Sequence, residues 1–340
     1  MSTEPEPPRW PSVSVMGAGA VGCYFGGMLA RAGAAVTLIG RSPHVEAIAA
    51  DGLLLDTRDF SGRVFLEASH DAAAARGAEL VLVAVKTYDT ETAGRALAPH
   101  LAAGATILSL QNGVGNAAVL RAATGRDAFP AVVWVAAEMT APGTLTHSGR
   151  GDLVVGDPDR ASAGGEGRGR LLEEIARVFE AAGVPCVVSQ EIDAELWSKL
   201  AANCAFNPVS ALARAPYGRI GASPAGRRLL AEAVAEVLAV AAASGVAIGD
   251  RDVLGATLSL AESMPEATSS TAQDLARSRR TEIGALNGFV ARRGEALGVP
   301  TPVNRALYTL VKLLEEGIPR GKSRPSGSSD PPGAVLIERG

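Results

Sequence analysis

Lys199, Asn203 and Asn207 recur every four residues in the stretch Trp197-Ser198-Lys199-Leu200-Ala201-Ala202-Asn203-Cys204-Ala205-Phe206-Asn207-Pro208. On a helix that spacing puts one ammonium and two carboxamides in a single polar stripe on an otherwise apolar segment. A buried ammonium is costly unless an anionic ligand or a carboxylate meets it, so such a lysine is a candidate for handling charge on a bound small molecule. Composition alone leaves the stripe equally able to face water. Pro208 removes a helix hydrogen bond and disfavours α geometry at Asn207, which predicts a kink where the stripe ends.

A second constellation sits near the N-terminus, where the apolar run Val13 to Met16 leads into Gly17-Ala18-Gly19-Ala20-Val21-Gly22 and an apolar helical pattern continues through Met28, Leu29 and Ala30. In a strand-to-helix turn of this form the first glycine permits the tight turn and the second lets the backbone approach a pyrophosphate. The third allows helix and strand to pack closely, and the helix N-terminus supplies N–H donors. The alternative is a glycine-rich turn that only packs. A carboxylate about 20 residues further on holds the ribose in NAD enzymes. Here the second strand ends Leu38-Ile39-Gly40-Arg41-Ser42, with no carboxylate and with Arg41 placed to fork onto the 2′-phosphate of NADPH. A solvated arginine before a helix is the competing explanation.

Ligands in an open α/β sheet sit beyond the carboxyl ends of the strands. Lys86 follows the run Leu80 to Val85, and Asn112 follows Thr106 to Leu110 within Gln111-Asn112-Gly113-Val114-Gly115. Each is equally readable as an exposed lysine opening a helix or an asparagine in a turn. Ser270-Thr271-Ala272-Gln273 has the form of a capping box at the start of a helix containing Glu282 and Asn287. A helix N-terminus there could take a substrate carboxylate as well as a cap. Glu282 lies within Arg279-Arg280-Thr281-Glu282, where a surface ion pair is the bland alternative.

The elements that must position these groups follow from hydrophobic periodicity. Val13 to Met16, Val36 to Ile39, Leu80 to Val85 and Thr106 to Leu110 read as buried strands separated by helices, which predicts a Rossmann-type, doubly wound parallel sheet. Further strands are expected at Ala131 to Ala136, Thr144 to His147, Leu153 to Val155 and Cys186 to Val188. Ser42 and Pro43 open the second helix, Gly52 closes it, and Ala161 to Gly169 reads as a surface loop. Past about Glu191 the strand signals stop. Arg227 to Ala243 and Thr271 to Leu297 read as helices, making the second domain all-helical. The resulting division is a flexible extension over 1–11, an NADPH-binding Rossmann domain over 12–190, a helical substrate and catalytic domain over 191–317 and a disordered tail over 318–340.

With 340 residues, 47% hydrophobic and 20% charged, the chain is long enough for two globular domains. Its net charge of -4 and lack of a basic block argue against nucleic acid or an anionic membrane as partner. No stretch reads as a signal peptide or a membrane span. The three cysteines form no CxxC pair, the four histidines no ligand set, and no metal is expected. A reducing cytoplasm fits, and a homodimer is compatible with this reading.

Taken together these elements resemble the ketopantoate reductase family from about Val13 to Glu315. The most specific parts are the GAGAVG turn, Leu110 to Gly115, Glu195 to Leu200 with Asn203 and Asn207-Pro208, and Ser269-Ser270 through Gln273-Asp274 to Ile283. The resemblance implies NADPH-dependent reduction of 2-dehydropantoate to pantoate, a step toward coenzyme A, with Lys199 as proton donor. It implies that Asn112, Asn203, Asn207 and Ser270 hold the substrate and that Glu282 lies at the catalytic cleft. Lys86 and Ala137 would touch the nicotinamide side. Tyr217 stands where the family often carries a substrate-contacting asparagine, so a reductase of a different small 2-keto acid is an alternative. A non-catalytic NADPH-binding module is the reading from another class.

Overall fold

A computed structural model describes residues 9–317 except Ser42. Val13, Val15, Val36, Leu38 and Leu80 to Val83 are all buried, as befits central parallel strands that are covered on both faces. Strand β1 (Val13–Met16) pairs in parallel with β2 (Val36–Ile39) on one side and β6 (Leu80–Val83) on the other. Beyond β2 lies β5 (Glu67–Ser69), and beyond β6 lie β7 (Thr106–Ser109) and the first residues of β8 (Ala128–Ala141), all parallel. Chain direction across the sheet reverses between β1 and β6, which places the ligand crevice of a doubly wound fold beyond their carboxyl ends. Helix α1 (Ala20–Arg31) packs against this sheet through Gly22, Gly26 and Gly27, where a Cβ would meet Val15, Leu38 or Leu53 at 2.9–3.2 Å, closer than van der Waals contact.

The sheet is not wholly parallel. β8 continues into an antiparallel hairpin with β9 (Thr144–Val155), one long strand where two short ones are expected at Thr144 to His147 and Leu153 to Val155. β3 (Leu53–Asp56) adds in parallel to β9, β4 (Ser61–Val64) pairs antiparallel with β3, and β10 (Cys186–Val188) joins β9 to complete ten strands. β4 and β5 carry few apolar residues and escape a reading based on hydrophobic runs, whereas β3 is a short run of three leucines that the expected strands did not include.

The expected surface loop over 161–169 is overturned in its second half, because α5 (Gly165–Ala181) starts there and buries Gly165 and Leu172. The second helix, α2, is His44–Asp51 with Pro43 at its cap position; the capping assignment to Ser42 lies outside the described residues. Arg9 to Pro11, expected in a flexible extension, are tied down: Arg9 pairs with Glu79 at 2.6 Å and Trp10 packs on the N-terminal core. The expected disordered tail lies outside the described residues.

After β10 the described chain is helical. α6 (Ile192–Ala213) is the central helix, packed against α8 (Pro224–Ala243), α10 (Ser270–Ala276) and α12 (Pro302–Gly317) around Leu200, Phe206, Leu230, Val237 and Val290. α6 runs through Pro208 for five more residues. The long helix expected over Thr271 to Leu297 is instead α10 and α11 (Asn287–Leu297) with an irregular segment between them. Ser278 takes φ +54, and Thr281 donates its backbone N–H and hydroxyl to Glu315, contacts that pull this segment away from helical geometry.

Candidate active site

At the glycine turn the three glycines are distinct in their surroundings. Gly17 has φ +121, and a Cβ on it would lie 2.7 Å from the carbonyl carbon of Ala84 just past β6. A Cβ on Gly22 would overlap the Gly17 carbonyl oxygen. Gly19, the cap residue of α1, would by contrast meet nothing within 4 Å. The turn is therefore packed at its first and last glycine and open at its middle one, beside the free N–H groups of Ala20, Val21 and Gly22 in the first turn of α1. Ala18 lines the turn's other side, against Gly40 at the end of β2. That open, donor-rich ledge fits a dinucleotide pyrophosphate. Arg41, 90% exposed, extends from the end of β2 toward Asp89 at 3.4 Å.

Next to the ledge the two halves of the molecule are joined by a buried carboxylate. Glu282 is only 9% exposed, which excludes the surface ion pair with Arg279 or Arg280. Its Oε1 accepts from the Thr87 backbone N–H and hydroxyl, both at 2.9 Å, and its Oε2 from Lys86 Nζ and Asn112 Nδ2, both at 3.4 Å. Lys86 Nζ also donates to Asp274 Oδ2 at 2.8 Å. Burial pulls the Lys86 amine down, but the charges of Glu282 and Asp274 more than offset it, and its pKa is raised. Desolvation, against the pull of Lys86, holds the Asp274 carboxyl above the usual range. Glu282 lies in the irregular segment after α10, not in a helix.

The stripe on α6 turns inward. Asn207 is 3% exposed; its carbonyl accepts from Ser269 Oγ at 2.9 Å, and its Oδ1 lies 3.5 Å from the Tyr217 hydroxyl. Ser269, not Ser270, caps α10 by accepting from the Ala272 N–H, which puts Ala272 at the position where a capping box needs Glu or Gln, so the expected box does not form and Ser270 is left exposed at the helix start. Asn203 is half-buried and makes no side-chain hydrogen bond among the described residues. Lys199 donates to the carbonyl of Val133 on β8 and lies 5.4 Å from the centre of the Trp134 ring. Desolvation pulls its pKa down from the usual 10.5 to about 8, with Glu282 opposing that fall.

The structure thus brings Lys86, Asn112 and Glu282 into direct contact and puts Lys199 in the field of Glu282. Asn207 connects through Ser269 to α10, whose Asp274 holds Lys86. Ala137 lies further along β8 from the carbonyl that receives Lys199, and Arg41 stands apart at the outer end of the ledge. Asp274 and Thr87 belong to the cluster although sequence reasoning gave neither a role, Asp274 appearing only as part of a family segment. The signal for Thr87 was its adjacency to Lys86. A cavity of about 190 Å³ lined by Arg121, Asp157, Asp159 and Arg168 contains none of these groups, and its charges pair with one another. Among the described residues there is no cluster of three potential metal ligands, and no helix is long and apolar enough to cross a membrane.

A doubly wound sheet with a glycine-turn ledge, joined to a helical half that carries a desolvated amine, is the architecture of a pyridine-nucleotide-dependent oxidoreductase acting on a CH–OH group. Residues 13–160 match the family described as ketopantoate reductase PanE/ApbA, and residues 191–315 match its C-terminal counterpart. The chain belongs to the ketopantoate reductase family. It is 35% identical over 306 residues to a 2-dehydropantoate 2-reductase of Halobacterium salinarum, covering 89% of this chain and 98% of that one. A Pyrococcus abyssi protein of the same name is 31% identical over 89% of this chain and 97% of its own length. The crystal structure of a ketopantoate reductase of this family from Ralstonia eutropha superposes with TM-score 0.82 at 48% identity, covering 90% and 98% of the two chains. A D-mandelate dehydrogenase solved with NADH and anilino(oxo)acetate shares the fold, with TM-score 0.83 at 22% identity over 90% and 99%.

Proposed function

We propose that this enzyme reduces 2-dehydropantoate to pantoate with NADPH, and that Lys199 is the proton donor. The observation that carries the proposal is the Lys199 amine, desolvated to a pKa of about 8 and placed between β8 and the field of Glu282. An amine of that acidity is mostly protonated at neutral pH yet gives up its proton far more readily than an exposed lysine.

Gly17, Ala18, Gly19, Ala20, Val21 and Gly22 would hold the dinucleotide, with Arg41 on its 2′-phosphate and Lys86, Asn112, Ala137 and Glu282 about the nicotinamide end. When bound, NADPH supplies the hydride that the keto carbon gains. Lys199 donates a proton to the keto oxygen, so that C=O becomes CH–OH and the amine is left neutral. Asn112, Asn203, Asn207 and Ser270 orient the substrate. Glu282 fixes Lys86 and Asn112 and keeps Lys199 from losing its proton too early.

The direct test is turnover of 2-dehydropantoate by Lys199→Ala with NADPH binding measured in parallel. We expect a fall of about 10²- to 10⁴-fold in kcat with NADPH binding intact; undiminished turnover would remove Lys199 from the reaction. A second reading, a different small 2-keto acid, is favoured by Tyr217. Its ring stacks on Phe206 at 4.3 Å and its hydroxyl reaches Asn207, presenting an aromatic wall beside the stripe. Much faster turnover of other 2-keto acids than of 2-dehydropantoate would select it.

A further inference from the structure

Beside Lys199 the β8–β9 hairpin departs from regular pairing. Trp134 stands opposite Asp152 and Val135 opposite Arg150, so Gly151 is the extra residue of a β-bulge. Gly151 has φ +148 and Arg150 φ +52, the latter unfavourable for a residue with a Cβ. The distortion is held from behind. The carbonyl of Arg150 can only accept, so His147 donates to it through Nε2–H. The His147 ring packs on Tyr24 at 4.4 Å, and the Tyr24 hydroxyl fills the space that any side chain at position 151 would need.

Bulges next to binding sites re-aim side chains, and this one re-aims Arg150. Its guanidinium lies 4.5 Å from the centre of the Trp134 ring and donates to Asp152 Oδ1 at 3.0 Å and Oδ2 at 2.7 Å. The Lys199 ammonium lies 5.4 Å from the centre of that same ring. One indole therefore serves two cations. Its π-face attracts the ammonium and gives the long lysine side chain a seat, while the neighbouring guanidinium opposes a second positive charge.

We propose that Trp134 and Arg150 are positioning residues for the proton donor: the indole seats the Lys199 amine, and the bulge-held guanidinium sets how readily it releases its proton. This rests on Lys199 acting as the donor. The charged groups that act on the amine are Glu282, Arg150 and Asp152. Of these, Arg150 alone favours the neutral form, whereas Glu282 and Asp152 favour the ammonium. Arg150 is 47% exposed, so its influence is screened and modest.

The experiment is the pH dependence of kcat/KM for keto-acid reduction with NADPH in wild type, Arg150→Met, Arg150→Lys, Asp152→Asn and Trp134→Leu. A donor must be protonated, so activity falls as pH rises through the pKa of Lys199. We expect Arg150→Met to move this alkaline limb up by about 0.3–0.7 pH unit. Asp152→Asn should move it down, and Arg150→Lys should keep it near the wild-type position. Trp134→Leu should lower kcat about 3- to 10-fold with the KM for NADPH unchanged. Opposite shifts from the two charge changes cannot come from general loosening of the hairpin. A limb that stays fixed in both variants, or moves the same way in both, overturns the proposal while leaving Lys199 as donor. Full turnover by Lys199→Ala would overturn the donor assignment itself.

Discussion

Replacing Lys199 by methionine is expected to abolish most turnover and to make the fold more stable near neutral pH. At about 1.4 kcal/mol for each tenfold change in proton affinity, the drop from the usual 10.5 to about 8 corresponds to about 3 kcal/mol of strain on the protonated form. Methionine keeps most of the volume without the charge, but it leaves the Val133 carbonyl without this donor, a loss of about 1 kcal/mol. The Lys199 residue as a whole is only half-buried, which reduces the gain further. A net rise of about 1–2 kcal/mol in unfolding free energy at about pH 7 is expected, read from urea unfolding followed by circular dichroism. The sign of the pH dependence is fixed by the same shift. Between pH 8 and 10.5 the unfolded chain holds the Lys199 proton more tightly than the folded one, so this group makes wild type more stable as pH rises. The gap between variant and wild type should therefore close across that window. A variant less stable than wild type at about pH 7, or a gap that does not change with pH, would refute the view of Lys199 as a strained, desolvated acid.

The glycine turn separates folding from binding. Gly19→Ala should fold normally, because its Cβ meets nothing, yet weaken NADPH binding about tenfold or more, measured by fluorescence titration; Gly17→Ala should cost about 2–4 kcal/mol of stability through its clash at Ala84 and its φ of +121. Arg41→Ala should raise the KM for NADPH about 10- to 100-fold and leave that for NADH nearly unchanged, and equal effects on both cofactors would remove Arg41 from the 2′-phosphate.

What could be read from the sequence was whatever depended on neighbours within a turn or two. The GAGAVG turn, the four-residue stripe and the central strands are local patterns, and the structure places them where periodicity demands. From its neighbours in the chain Glu282 was visible only as a residue near two arginines, and its place at the cleft came from the family resemblance. Its burial depends on Lys86, Thr87 and Asn112, all more than 160 residues away. The helix expected through Glu282 fails for the same reason, since Thr281 is claimed by Glu315 on α12. Two adjacent serines can each cap a helix, and only the carbonyl of Asn207 decides for Ser269. The β8–β9 hairpin reads as separate short strands because Gly149, Arg150 and Gly151 interrupt the apolar alternation at the bulge.

The Glu282 carboxylate has a consequence for engineering. Every donor it accepts from belongs to the N-terminal half, so a helical half paired with a sheet that lacks those donors would bury an anion without compensation. Chimaeras that graft the helical half onto a sheet from a relative must therefore carry Lys86, Thr87 and Asn112 along with Asp274 and Glu282. These five positions form one heritable unit although a domain boundary runs between them.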